Sequence, residues 1–210
     1  NGGGVYCFSG GVVQNCTVFD TRGAGLAVLT VDGARIERVS FSNISLRNIK
    51  GDAIMVRLGA RNRTHRQDAV VNQGSIKDVM FAQIQGTRIS DLGNAISGGP
   101  GQIIENVTLR DIALEFTGGG TTELAKRVVP ENLKGYPGSS LFGKLPAYGF
   151  FVRHVRNIVF DNVHLRFAAD DHRPAIVCDD VDSVTFDRFR AQTLPGVEAR
   201  RLVNTRNVSK

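Results

Sequence analysis

The sequence predicts an all-β chain wound as a right-handed, single-stranded parallel β-helix of about six coils, and three observations carry that expectation. The pattern apolar-x-x-apolar-x-apolar-x-x-apolar recurs through residues 34–47, 74–87, 102–115, 154–166 and 180–191, with a partial copy at residues 12–19. The copies keep a near-constant step once two polar or glycine- and proline-rich stretches are set aside. A second short apolar strand also accompanies each coil.

Aligned on their second apolar position, the copies fall at Cys16, Val39, Val79, Val107, Ile158 and Val184, in steps of 23, 40, 28, 51 and 26 residues. A coil of about 25 residues explains three of the steps. The two long ones contain residues 59–73 and 118–147, which read as loop insertions within one domain over residues 1–210. Inside a copy, residues two apart, such as Val39 and Phe41, point into the coil, and the pair between Phe41 and Ile44 turns the corner. Asn15, Asn106 and Asn157 precede the second apolar position, and Asn43 and Asn162 the fourth. Stacked asparagine amides satisfy turn groups that coil stacking buries. Asn15, Asn43 and Asn106 also fit the N-glycosylation pattern, so a ladder accounts for all five positions and glycosylation for three.

The second strands align at residues 4–9, 25–30, 53–58, 95–100, 149–154 and 175–180. Their last outward column reads Phe8, Leu29, Arg57, Gly99, Arg153 and Asp179. At one rung per 4.8 Å this sets Arg57 and Arg153 roughly 10 Å apart across a glycine rung, with Asp179 beside Arg153.

Composition agrees with short strands and tight turns: 24 glycines, no tryptophan, and recurring Val, Ile and Thr. The net charge of +6 is spread without a basic run or a basic amphipathic helix, the features that concentrate charge in nucleic-acid binders. A diffuse arginine excess either suits a polyanion with planar carboxylates or decorates outward strand positions. No apolar run has the length of a membrane span, and no zinc spacing or other metal site is visible. Cys7, Cys16 and Cys178 lie in apolar strand patterns and read as buried free thiols. The chain opens at Asn1 within a strand-like pattern and shows no signal peptide, so it reads as a processed or truncated piece.

Both insertions flank the second-strand face. The first is cationic, with Arg61, Arg63, His65 and Arg66; the second holds a short helix expected over residues 121–129, then Tyr136, Phe142 and Tyr148. Loops on a rigid scaffold are common places for binding groups, so a groove walled by these two loops is the candidate site; the alternative is that they merely cover the sheet. Arg57 and Arg153 are the candidate carboxylate binders, Tyr148 a stacking residue at the groove mouth, and Arg61, Arg63 and His65 further substrate contacts. Asp179 and Asp180 form a candidate catalytic carboxylate pair, yet adjacent strand residues face opposite ways and only Asp179 faces the groove, where it can also pair with Arg153. Asp170 and Asp171, the other carboxylate pair, read as turn residues rather than catalytic ones, and His154 as an inward, satisfied core histidine rather than a proton shuttle.

The stretches at residues 25–50, 54–63, 94–113, 145–166 and 171–182 resemble the C-terminal coils of glycoside hydrolase family 28, the polygalacturonase and rhamnogalacturonan hydrolase family, in its bacterial branch. The most specific part is Leu145-Pro146-Ala147-Tyr148-Gly149 leading to Arg153-His154, followed by Arg173-Pro174-Ala175-Ile176-Val177. The resemblance implies a pectin-lyase-like solenoid, inverting hydrolysis of acidic plant polysaccharide without a cofactor, and a secreted or periplasmic location. In that family the acid and base sit in Asn-Thr-Asp and Asp-Asp motifs, followed by Gly-His-Gly and Arg-Ile-Lys. By coil, Arg-Ile-Lys falls at Ala27, Val28 and Leu29 and the histidine near Gly3, so neither is kept. The paired aspartates are therefore expected upstream of Asn1, with missing coils or a partner subunit at that end. The competing expectation is a non-catalytic carbohydrate-binding β-helix. A calcium-dependent lyase ranks last, for want of clustered carboxylates.

Overall fold

The computed structural model describes residues 9–63 and 73–209. Strands β1 (Ser9–Phe19), β2 (Leu26–Thr30), β3 (Arg35–Ile49), β4 (Ile54–Leu58), β5 (Ser75–Ile89), β6 (Asn94–Ser97) and β7 (Ile104–Gly118) precede a short helix, α1 (Thr122–Ala125). Strands β8 (Phe150–Ala169), β9 (Ile176–Asp187), β10 (Arg190–Ala191), β11 (Arg200–Val203) and β12 (Arg206–Ser209) follow it. Every pairing between these strands is parallel. The repeat strands stack as β1-β3-β5-β7-β8 and the second strands as β2-β4-β6-β8, so the sheet curls back on itself through the long β8. The protein is thus all-β with one curled parallel sheet, an arrangement consistent with a β-helix.

Val39, Val79, Val107, Ile158 and Val184 share one column, as the repeat predicts. The first copy is shifted: Gly11 pairs with Val39 and Cys16 with Ile44. The partial pattern at residues 12–19 has too few apolar positions to mark its register, and Gly10, at φ 72°, takes the first corner.

Corners explain the non-apolar part of the repeat. Arg38, Asp78, Asn106, Asn157, Ser183 and Asn207 adopt positive φ on successive rungs, as do Asn15, Asn43, Gln83, Asp111, Asn162 and Arg188 at the next corner. Asn and Asp tolerate this left-handed region better than other side chains. Their side chains also bond along the stack: Asn43 Nδ2 donates to Asn15 Oδ1 at 2.7 Å, Asn106 to Asp78 at 2.7 Å, Asn157 to Asn106 at 3.0 Å and Asn162 to Asp111 at 2.7 Å. Asn15, Asn43 and Asn106, which also fit the glycosylation pattern, all take part in these ladders.

Parallel, in-register stacking places like residues over like. Phe41 lies flat on Phe81 at 5.0 Å, and Phe160 on Phe186 at 5.3 Å, inside a continuous core that includes Cys178. Cys178 and the half-buried Cys16 are free, and Cys7 lies outside the described residues. Outside, one column alternates in sign through Glu37, Lys77, Glu105, Arg156, Asp182 and Arg206. Glu105 bridges Lys77 at 3.1 Å and Arg156 at 3.6 Å. Each exposed pair is worth little, but a one-rung slip would set like charges side by side, so the column helps specify register.

On the second-strand face the outward column reads Leu29, Arg57, Ser97, Arg153 and Asp179. Arg57, Arg153 and Asp179 do share a face, but the middle rung is Ser97 rather than Gly99, and Phe8 lies outside the described residues. The Ala95-Ile96 pair imitates Ala53-Ile54 and Ala175-Ile176, yet Ile96 pairs with Val56 and Val152. A two-residue slip keeps the in-out parity and so leaves no trace in the hydrophobic pattern. Gly98 and Gly99 instead form a tight turn, where an added β-carbon on Gly98 would stand 2.1 Å from the Gln102 carbonyl oxygen.

Candidate substrate-binding surface

The second insertion decides what the second-strand face presents. It begins with α1, where Thr121 Oγ1 caps the Leu124 amide at 3.2 Å. The helix is a single turn ending at Ala125, shorter than residues 121–129; Pro130 in addition disfavours the α region for Val129. From there the chain lies down on the sheet. Val129, Phe142, Leu145 and Ala147 pack on Met55, Ala95, Phe151 and Val177, forming a second apolar cluster outside the curl. The face expected to floor an open groove is therefore covered.

Arg57 and Arg153 hold this cover down. Arg57 is fully buried and donates to Ser97 Oγ at 3.0 Å, the Gly98 carbonyl at 2.6 Å and the Glu131 carbonyl at 2.8 Å. Burial, then the neighbouring Arg153 charge, lowers its pKa to about 10, with Glu131 opposing. Arg153 is 4 % exposed and donates to the Val129 and Pro130 carbonyls at 2.7 and 3.0 Å, with Glu131 Oε1 at 3.2 Å. Burial lowers its pKa too, offset by Glu131 and Asp179. Neither guanidinium is open to a sugar: outward parity is kept, but both side chains are buried, and their terminal nitrogens bond carbonyls of the insertion and, for Arg57, the Ser97-Gly98 turn. Replacing Arg153 with alanine is expected to cost about 2–3 kcal/mol, since it strands the Val129 and Pro130 carbonyls and leaves the Glu131 carboxylate with His154 alone. Faster proteolytic cleavage within residues 118–147 would report the loosened insertion; an unchanged cleavage rate would contradict this role.

Tyr148 does not stand at a groove mouth either. It is fully buried, edge-on to Phe116 and Phe167, and its hydroxyl donates to the Gln192 carbonyl at 2.8 Å. Burial raises its pKa, and the Asp171 charge adds to the shift. The turn into β8 aims the ring into the coil.

His154 occupies a left-handed corner at φ 53° rather than an inward core position. Its Nδ1 meets Asp180 Oδ2 at 2.6 Å and its Nε2 meets Glu131 Oε1 at 3.1 Å. Two carboxylates thus flank one imidazole. An inverting glycosidase needs its carboxyl groups about 6.5–9.5 Å apart with the scissile bond and a water between them. Here the ring fills that interval, so Asp180 and Glu131 are joined as a latch between insertion and sheet. Asp180 is exposed at its corner, and Asp179 is half-buried in the Arg153 column.

What remains open lies where the two insertions meet. The Ala60 amide donates to the Leu133 carbonyl at 2.8 Å, tying one insertion to the other. Arg61 grips Asp32 through Nε at 3.0 Å and through a second, shorter contact from its terminal nitrogen. The Arg63 amide donates to Asp32 Oδ1 at 2.9 Å, and the Arg63 side chain is exposed. The Arg61 hydrogen bond, then the Arg63 amide, lowers the Asp32 pKa against its partial burial. The Arg61 guanidinium also lies 5.5 Å from the centre of the Tyr136 ring, which is 72 % exposed. His65 and Arg66 lie outside the described residues. Behind this junction a cleft of about 530 Å³ is lined by Gln73, Arg35, Lys77, Arg156, Glu37 and Glu105.

Two buried acids escape sequence reasoning. Asp171, expected as a turn residue, and Arg173 form a fully buried pair with Oδ2 2.7 Å from the guanidinium. Asp52, in the turn before β4, is 4 % exposed, and burial raises its carboxyl to about 7 despite hydrogen bonds from Ser139 and main-chain amides. Aspartates in turns are common enough that no pattern separates these two from solvated ones.

Fold and surface together define an all-parallel β protein of stacked rungs, locked in register and clasped by a long insertion. The family model described as glycosyl hydrolases family 28 matches residues 8–133, more than half of the chain. The chain belongs to that family, whose class of activity is that of a glycosidase. Neither the curated proteins nor the solved structures contain a match to it.

Proposed function

We propose that this chain forms the C-terminal coils, about six, of a right-handed, single-stranded parallel β-helix in a secreted or periplasmic enzyme that hydrolyses acidic plant polysaccharide with inversion. The family's bacterial branch is the one it resembles. Upstream coils supply the acid and base, and this chain supplies binding rungs. Nucleic acid and membranes are not partners in this reading.

The observation that carries the reading is the outer edge of β1, which no strand among the described residues pairs. Val12 is 67 % and Phe19 55 % exposed there, and Val13, Cys16 and Val18 are only partly buried at the end of the core. A bare edge of this kind invites pairing, and a further parallel rung with the same corners would cover it. The substrate class rests on the family match and on the cationic junction at Arg61 and Arg63.

A non-catalytic carbohydrate-binding role is the second reading, favoured by Ala27, Val28 and Leu29 where the family has Arg-Ile-Lys, and by the His154 ring between Asp180 and Glu131. Reducing-end release from polygalacturonate and rhamnogalacturonan, measured beside binding, separates the two. Release by this chain extended upstream, abolished by removing aspartates in the added coils, supports the hydrolase; binding without release in both forms supports the binding module.

A further inference from the structure

Tyr136 is the most exposed aromatic ring among the described residues, 72 % against 55 % for Phe19. Phe19 lies on the open edge of β1, where another rung would cover it. Tyr136 has no such explanation, since it stands on an insertion that is otherwise clamped to the sheet.

The ring is also held still. The turn beneath it closes through the Gly135 amide to the Asn132 carbonyl at 3.0 Å and through Asn132 Nδ2 to the Leu141 carbonyl at 2.8 Å. The turn packs closely on Leu141, whose Cδ1 would lie 2.4 Å from a β-carbon on Gly135. Arg61, fixed by Asp32, supports one side of the ring by a cation–π contact at 5.5 Å. Because Asp32 already neutralises Arg61, the excess positive charge here comes from the exposed side chains of Arg63 and Lys134.

An exposed aromatic face, with Lys134 two residues before it and Arg63 two residues after its Arg61 support, matches one ligand chemistry, a pyranose ring bearing a carboxylate. The C–H face of a sugar stacks on an aromatic ring, and guanidinium pairs bidentately with carboxylate. We propose that Tyr136, backed by Arg61 and Asp32, is a stacking platform for a uronic acid residue, with Arg63 and Lys134 receiving the carboxylate. This assignment rests on the acidic-polysaccharide reading above and adds the particular subsite to it.

The test is titration calorimetry of the full chain with a galacturonate oligosaccharide and with its fully methyl-esterified counterpart. Tyr136→Ala is expected to weaken binding of both by about tenfold with an unchanged melting temperature, because the side chain is exposed, whereas Tyr136→Phe keeps affinity within about twofold. Arg63→Ala is expected to weaken the acid form severalfold and leave the ester unaffected. Unchanged affinity in Tyr136→Ala, with wild-type binding intact, overturns the platform and leaves the polysaccharide reading standing. Equal loss for acid and ester in Arg63→Ala overturns the carboxylate contact. Absence of wild-type binding to either oligosaccharide overturns both the platform and the reading beneath it.

Discussion

Replacing Arg173 with alanine is expected to destabilise the fold by about 3–5 kcal/mol, the scale for removing one partner of a buried ion pair. Both side chains of the pair are fully buried. Arg173 Nε and its terminal nitrogen bond the two Asp171 oxygens at 2.9 and 2.7 Å, and its other terminal nitrogen bonds the carbonyls of Asp91 and Leu145 at 2.8 and 3.0 Å. Asp171 Oδ2 also accepts the Gly120 amide at 3.1 Å. One network thus fastens the start of the insertion at Gly120, its end at Leu145, and the turn at Asp91. Gly120 makes the approach possible, as a β-carbon there would lie 2.1 Å from Arg173 Nε. Asp171→Ala is expected to cost a similar amount. The double variant should cost clearly less than the two together, because neither charge is then left alone. Urea unfolding of the four proteins checks this; single variants within about 1 kcal/mol of wild type would show that the pair is dispensable.

The second large effect is a dependence on pH. Asp52 has a folded-state value of about 7 against 3.8 for an unburied aspartate, and burial is the main cause. Between these values the folded protein keeps the proton while the unfolded chain releases it. Stability should therefore be full below 3.8, fall as pH rises toward about 7, and level off above it. At about 1.4 kcal/mol per pH unit, the whole loss is on the order of 4 kcal/mol. Asp52→Asn keeps the shape and removes the titration, so its stability should be flat in this window and exceed wild type at pH 8. Denaturation midpoints from pH 4 to 8 provide the measurement. Parallel curves for the two proteins would mean that Asp52 is ionised throughout.

Much of the scaffold is legible in the linear pattern. Val39, Val79, Val107, Ile158 and Val184 form their column because a two-residue strand period and a recurring corner are local properties of the chain. The ladder of Asn106 on Asp78 and Asn157 on Asn106 follows in the same way, from residues that accept positive φ. Where the local signal thins, register is lost: Cys16 slides to Ile44, and Gly99 gives place to Ser97.

The site was less legible. Outward parity correctly sets Arg57, Arg153 and Asp179 on one face, but parity says nothing about what lies over that face. Tyr148 is misplaced because it sits in a turn, where strand alternation does not apply. Arg61 keeps a place on the open junction, while Tyr136 is distinguished only by its exposure in the folded chain.

The amino-acid order by itself determined a chain of stacked parallel rungs with asparagine-rich corners, because those features arise from neighbours a few positions apart. Only the tertiary structure decided that residues 118–147 fold across the second-strand face and turn two apparent ligand arginines into fasteners. The hydrogen bonds that do so join residues 23 to 75 positions apart, a range over which no local period carries information.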